Sequence, residues 1–338
     1  MKHLVTVVVL IVAVTVIVGV FFSNIDLTPI AASAEATPID WLFNLHMQVI
    51  AFLFAMIMVF VLYSVFAFRR KPGDDSDGDY FHGHTTLEIV WTIVPLVIVL
   101  YFSYLGAVTL ADITTPGDNE MVVEVTAQQW SWRFDYPEAG LTTTELNLPL
   151  GRTVLLKMTS NDVLHDFWVP EFRVKQDTVP GMTKELRITP TELGTYKVRC
   201  AELCGTDHAY MLANVNVMTS DGFEEWLAGE QEALAAAESG PAAERGAKLA
   251  EVNGCTACHT IDGSPGVGPT WLNMYEEDIP LADGSTVKAD EEYLRESIVD
   301  PGAKIVDGFN NIMPPKFGET LSAEEIDALI AYMESLGE

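Results

Sequence analysis

Apolar residues fill most of the first 110 positions in three long runs, Leu4 to Phe22, Trp41 to Phe68 and about Glu88 to Leu110. Each approaches or exceeds the roughly 20 residues that cross a bilayer core as a helix. The second and third runs predict a transmembrane hairpin over 37–115. The first follows Lys2 and His3 and precedes Ala31-Ala32-Ser33-Ala34-Glu35-Ala36, which offers A-x-A cleavage sites. Residues 1–36 therefore read equally as a signal peptide or as an extra transmembrane helix, since the run is longer than an ordinary signal core. Arg69-Arg70-Lys71 lies between the second and third runs. The positive-inside rule makes that loop cytoplasmic and puts everything after Leu110 on the outer side.

The texture then changes. Between 116 and 220 short alternating runs appear, at 121–126, 153–158, 184–189, 194–199 and 213–217, separated by Gly, Pro and Asn/Asp. They predict a small antiparallel β-sandwich or barrel. Residues 221–242 are rich in Ala, Glu and Gly and read as a helical or flexible acidic linker. Over 243–338 the spacing is helical, with helices at Arg245 to Val252, Glu291 to Val299 and Ser322 to Leu336. The last opens on a capping box, Ser322 with Glu325. The expected architecture is a multidomain membrane protein: a helical hairpin plus an N-terminal apolar helix, a β-sandwich, and an all-α domain.

A formal net charge of −29 over 338 residues excludes nucleic acid as a partner, because phosphates need Lys and Arg. It permits a basic protein partner steered by long-range attraction, while most of these charges read as a solvated acidic surface. Four cysteines form two close pairs, in CAELCGTDHAYM (200–211) and in Cys255-Thr256-Ala257-Cys258-His259. Thiolates and thioethers are soft ligands and imidazole suits copper. Cys200, Cys204, His208 and Met211, with His165 upstream in DVLHDFWVP, are thus candidate ligands of one metal centre. Zinc would not explain Met211, and a disulfide would not explain the histidines. CxxCH reads as c-type heme attachment, with Cys255 and Cys258 on the vinyl groups and His259 on the iron. This segment resembles a class I cytochrome c, and the resemblance implies a distal ligand downstream, at Met313 before Pro314 in NNIMPPKF, with Met274 the competitor.

From Trp41 to Thr219 these motifs resemble subunit II of heme–copper cytochrome c oxidases. From Ala243 to Glu338 they resemble a class I cytochrome c, a fusion found in caa-type oxidases. The resemblance implies a cupredoxin fold holding the binuclear copper centre CuA. It makes Cys200 and Cys204 the bridges, His165 and His208 one ligand each, Met211 a weak axial sulfur, and the Glu202 carbonyl the remaining donor. The Glu202 carboxylate is then expected to reach a magnesium ion shared with subunit I. In Gln129-Trp130-Ser131-Trp132, Trp130 takes the family's electron-entry role, and Ser131 stands where a tyrosine is common. Glu88, three residues before Trp91, matches a carboxylate at the mouth of a proton pathway, although a membrane-interface anchor also suits it. Pro269, in GVGP, matches the residue whose carbonyl orients the proximal histidine.

The expected function is that of a respiratory oxidase subunit in a bacterial cell membrane, with two or three spans and its redox domains outside. It relays electrons from its own heme c to CuA and on to subunit I, where dioxygen reduction and proton pumping occur. Expected partners are subunits I and III and an upstream donor: a cytochrome c, a copper protein or a quinol-oxidising complex. A subunit of a CuA-containing nitric oxide reductase and a membrane-tethered carrier are the alternatives. A quinol oxidase subunit lacks the copper ligands that this chain keeps.

Overall fold

The structure, a computed structural model, describes residues 1–338 apart from 75, 76, 79, 316 and 338. Glu338, the end of the last expected domain, and Lys316 of NNIMPPKF therefore lie outside the described residues. Two compact units appear: residues 1–116 with 170–173, and residues 117–169 with 174–338.

The first unit contains helices α1 (Lys2–Ser23), α2 (Ala36–Ala67) and α3 (Thr85–Thr114), all long and apolar enough to cross a membrane. Phe54, Trp91 and Tyr104 are exposed, as suits helices whose solvent is lipid. Most of what α1 and α2 bury is small, Gly19 on α1 and Ala36, Ala51 and Ala55 on α2, with Val7 and Val59 beside them. Small residues let membrane helices approach closely. The stretch offering the A-x-A sites is packed. Ala32 and Ser33 are buried, the Ala32 N–H donates to the Glu171 carbonyl (2.9 Å), and the Ser33 hydroxyl donates to the Phe172 carbonyl (3.0 Å). Arg173 reaches Asp40 (2.8 Å) and the carbonyls of Pro29 and Ile30.

The second unit opens with a two-sheet sandwich. One sheet has the order β3-β2-β1-β5-β8, from Leu141–Thr143, Ser131–Tyr136, Met121–Gln128, Val154–Ser160 and Lys184–Ile188. The other has the order β4-β10-β9-β6-β7, from Leu146–Pro149, Leu212–Met218, Gly194–Cys200, His165–Trp168 and Lys175–Thr178. All five predicted strands are present. The sheets are not wholly antiparallel: β1 runs parallel to β5 and β4 parallel to β10. The chain passes repeatedly between the sheets, and β5 returns beside β1 in the parallel sense while β8 returns beside β5 in the antiparallel sense. Alternation fixes the core, with Val123, Val125, Phe134, Leu148, Leu156, Met158, Val198 and Val215 fully buried.

The acidic stretch that follows is a helix, α4 (Ser220–Ser239), not a flexible chain. The Thr219 side chain caps it by accepting from the Gly222 N–H. Phe223 and Trp226 pack on Tyr136 of β2, at ring separations of 6.3 and 5.4 Å. Next come α5 (Ala242–Val252), a hairpin of β11 (Asp278–Pro280) and β12 (Thr286–Lys288), α6 (Glu291–Val299), α7 (Phe317–Thr320) and α8 (Ala323–Ser335). The capping box at Ser322 and Glu325 is made. Helices α5 and α8 cross at Gly246, where any Cβ would fall on the Ala328 carbonyl oxygen. Only glycine permits that approach. The hairpin was missed, although Asp283-Gly284 at its turn is a hairpin signal.

Candidate copper and heme sites

The copper candidates come from three places in one sheet. His165 opens β6, Cys200 ends β9, and the loop from 201 to 211 returns the chain into β10. Loop residues must supply the remaining ligands, and they converge. Cys200 Sγ lies 3.7 Å from Cys204 Sγ, 3.9 Å from His165 Nδ1 and 3.1 Å from the Glu202 carbonyl oxygen. Cys204 Sγ lies 3.5 Å from His208 Nδ1 and 3.9 Å from Met211 Sδ. All six expected ligand positions thus surround one pair of sulfurs. Both cysteines, His165 and Met211 are buried, while the Glu202 side chain is exposed and free to extend away from the loop.

The electrostatics of the pocket suit cations. Burial opposes ionisation of Cys200, but the hydrogen bond from His165 overcomes it and lowers the thiol to about 6. Burial, together with the charge on Cys200, pushes Cys204 up to about 12. The metal-free site therefore holds one thiolate readily, and the second proton must leave as cations bind. Such a set of soft donors, shielded from water and held by a sheet, fits two coppers.

Asp162 completes the site and sequence reading missed it. Its Oδ1 lies 2.8 Å from His165 Nε2 and 2.6 Å from the Val163 N–H, and its Oδ2 accepts from the Gln129 N–H (2.7 Å). Burial would raise its carboxyl, but these bonds win and hold it below the usual range. His165 is displaced upward for the same reason, although its own burial opposes this. Fixing the far nitrogen leaves Nδ1 aimed at the sulfurs, the arrangement by which carboxylates orient metal-binding imidazoles. The available signal was an acid three residues before a ligand histidine.

The heme candidates line one large apolar cavity. Cys255, Cys258, His259 and Met313 face it together with Trp271, Leu294, Ile298, Phe317 and Leu329, so a planar apolar group fits. The Pro269 carbonyl lies 2.8 Å from His259 Nδ1, and the ring stacks on Trp271 at 5.1 Å. That leaves Nε2 as the ring nitrogen available to a metal. Burial lowers the imidazole and raises the Cys255 and Cys258 thiols to about 12 and about 11, so all three are neutral here. Neutral imidazole is the ligating form, and thioether bonds would carry no charge into this apolar space. Met274 lines the same cavity as Met313.

Trp130 does not lie in a strand. It sits in the turn between β1 and β2, is only 9% exposed, and lines the cavity beside His259 and Met313. Its indole packs on Gly205, the residue after Cys204, where a Cβ would come 2.9 Å from Cζ2. The neighbouring Gln129 side chain donates to the Cys204 carbonyl at 2.7 Å. Glu88 is elsewhere, in the first turn of α3, exposed, with Oε1 accepting from the His84 N–H.

A cytochrome c oxidase subunit 2 from Alkalihalophilus pseudofirmus is 33% identical over 308 residues, covering 88% of this chain and 87% of the relative. The chain belongs to the cytochrome c oxidase subunit II family. Residues 23–105 match the profile described as cytochrome c oxidase subunit II, transmembrane domain, and residues 141–218 match its periplasmic domain. Residues 243–337 match the cytochrome c profile. A cytochrome c oxidase subunit 2 from Synechocystis is 32% identical, covering 64% of this chain and 80% of that one. One from Bacillus sp. strain PS3 is 30% identical, covering 80% of each. Family membership makes this chain a component of an oxidoreductase complex, with a copper-type and a heme-type redox domain on the outer side of the membrane.

Proposed function

We propose that the C-terminal domain receives electrons from an external donor and that the cupredoxin domain delivers them to oxidase subunit I, with subunit III beside it. Subunit I is the seat of dioxygen reduction and proton pumping. The observation that carries this reading is the shared cavity: Cys255, Cys258, His259 and Met313 face Trp130, and Trp130 rests on the copper loop at Gly205. When bound, a covalent heme c and a binuclear copper centre supply one-electron chemistry at its two ends. Cys255 and Cys258 would hold the heme through their sulfurs, and His259 and Met313 would be the side chains offered to its iron. Cys200, Cys204, His165, His208, Met211 and the Glu202 carbonyl would hold the coppers, and the Glu202 carboxylate would hold a magnesium shared with subunit I. Trp130 is the contact through which electrons enter the copper loop. Glu88 stands at the mouth of a proton pathway. The packing of residues 29–36 supports keeping α1 as a third span.

The donor must meet an acidic domain, with 19 Asp and Glu against 6 Lys and Arg from 244 to 338. A basic protein donor suits it, and its binding should weaken with salt, since exposed charges are screened beyond about 10 Å at 0.1 M. Rapid mixing of the assembled oxidase with a basic cytochrome c tests the order. The heme band should change before the CuA band, at an interval that dilution does not alter, because both domains share one chain. CuA reduced ahead of the heme would overturn the reading.

A further inference from the structure

Hydrogen bonds hold the heme-binding segment against the cupredoxin domain at the β1–β2 turn. Asn253 ends α5 two residues before Cys255, and its carbonyl accepts from Gln128 Nε2 at 2.9 Å. Gln128 also bonds Ser131 at 3.3 Å and is met from behind by Asn161 at 3.3 Å. Gln128 and Ser131 face each other across the β1–β2 turn, the turn that carries Trp130. Over them sits Gly254, at φ +71°. A Cβ on Gly254 would overlap the Ser131 hydroxyl and come 3.0 Å from Gln128 Nε2 and 3.2 Å from Ser131 Cβ. Not one further carbon fits between the two domains here. At the rim, Thr144 reaches Glu251 at 3.4 Å.

We infer that Gln128, Ser131 and Gly254 form a seat for the chain's own cytochrome domain, with Ser131 as a positioning residue that sets the heme cavity against Trp130. This rests on the relay proposed above and adds a specific interface to it. The position between the two tryptophans, where a tyrosine is common in relatives, has to be small in this chain. A phenol ring there would occupy the ground that Gly254 and Asn253 take. Seating also covers Trp130, so an external protein cannot place a redox centre on it without unseating the domain. Donor electrons are thereby confined to the heme.

The test uses the full chain in the assembled oxidase, with Ser131→Tyr, Gln128→Ala and, as the conservative variant, Ser131→Ala. Two readouts are taken: amide deuterium exchange of residues 251–254 and 128–131, and the photoinitiated rate at which one electron leaves the heme and reduces the copper pair. Ser131→Tyr should raise exchange at both segments and slow the transfer by about tenfold or more, because small misplacements carry large rate penalties. Gln128→Ala should act in the same direction and more weakly. Ser131→Ala should match the parent chain. All three should keep the parent heme and CuA spectra, which shows that folding and loading are intact. If Ser131→Tyr leaves exchange and rate unchanged while heme reduction still precedes CuA, the seat is wrong and the relay stands. Raised exchange with an unchanged rate would equally overturn the positioning role. Should CuA be reduced first in the parent chain, the relay itself fails.

Discussion

The copper loop and the heme cavity hold the same kind of cargo, a one-electron centre, in opposite ways. Around Cys200 and Cys204 the ligand atoms already stand within about 4 Å of the sulfurs, locked by strand ends and by Asp162. In the C-terminal domain Cys255, Cys258, His259 and Met313 instead line an apolar cavity that a cofactor's own bulk would fill. A rigid cage of hard-won polar contacts favours a site whose shape changes little between oxidation states. A cavity walled by Trp271, Leu294 and Phe317 instead makes the cofactor part of the hydrophobic core. Losing one ligand should therefore empty the copper site but leave the heme in place.

The largest expected effect tests the copper half. Cys200→Ser or Cys204→Ser should abolish the mixed-valence paramagnetic signal of two coppers sharing one electron, since each sulfur touches the other and a histidine or carbonyl besides. Metal analysis should fall below two coppers per chain. A seven-line spectrum surviving either change would remove both residues from the bridge.

The same contrast explains what the sequence made legible. The convergence of these cysteine, histidine and methionine side chains was readable because most of them lie in twelve consecutive residues, and a strand–loop–strand return is what alternating runs on either side predict. His165 was readable only through the family pattern, because its strand, HDFW, is too short to show alternation. Asp162 was not readable: nothing in NDVLH distinguishes a carboxylate that orients an imidazole from one that caps a turn, and here it does both. The heme motif announced itself, and the helices around it followed from 3.6-residue spacing. Trp130 follows Gln128 and Gln129, where the alternation that marks 121–126 breaks, and a turn there gives no sign of what the ring meets. Its burial comes from a domain more than a hundred residues downstream, which no local pattern records. The linker helix α4 fell between categories, since Ala and Glu serve helix and flexible spacer alike until Phe223 and Trp226 find Tyr136.

The heme half is tested by its distal side, where two methionines share the cavity. Met313→Ala should leave heme covalently attached through Cys255 and Cys258, yet remove the sulfur-to-iron charge-transfer band. It should lower the potential by on the order of a hundred millivolts, because axial ligands set heme potentials over a wide range. Met274→Ala should keep the band and alter only packing. If Met274→Ala removes the band and Met313→Ala does not, the ligand lies in the loop after Trp271 and the segment before α7 is only a lid.

The smallest effect probes how much of the copper cage is preorganised. Asp162→Asn keeps the size of the side chain but has a single acceptor oxygen, so it keeps one of the bonds from the Gln129 and Val163 N–H groups, gives up the other, and removes the charge that faces His165 Nε2. The imidazole then loses the partner that fixes its orientation and strengthens its other nitrogen as a donor. Partners of this kind are worth about 10–100-fold in metal affinity. Copper titration of Asp162→Asn, followed by competition with a chelator, should show a loss in that range with both coppers still bound at saturation. Asp162→Ala should cost more, because the turn loses its bonds as well. If Asp162→Asn binds copper as tightly as the parent, strand β6 alone orients His165, and the difference between a caged copper site and a cofactor-filled heme cavity rests on the sulfurs and the backbone.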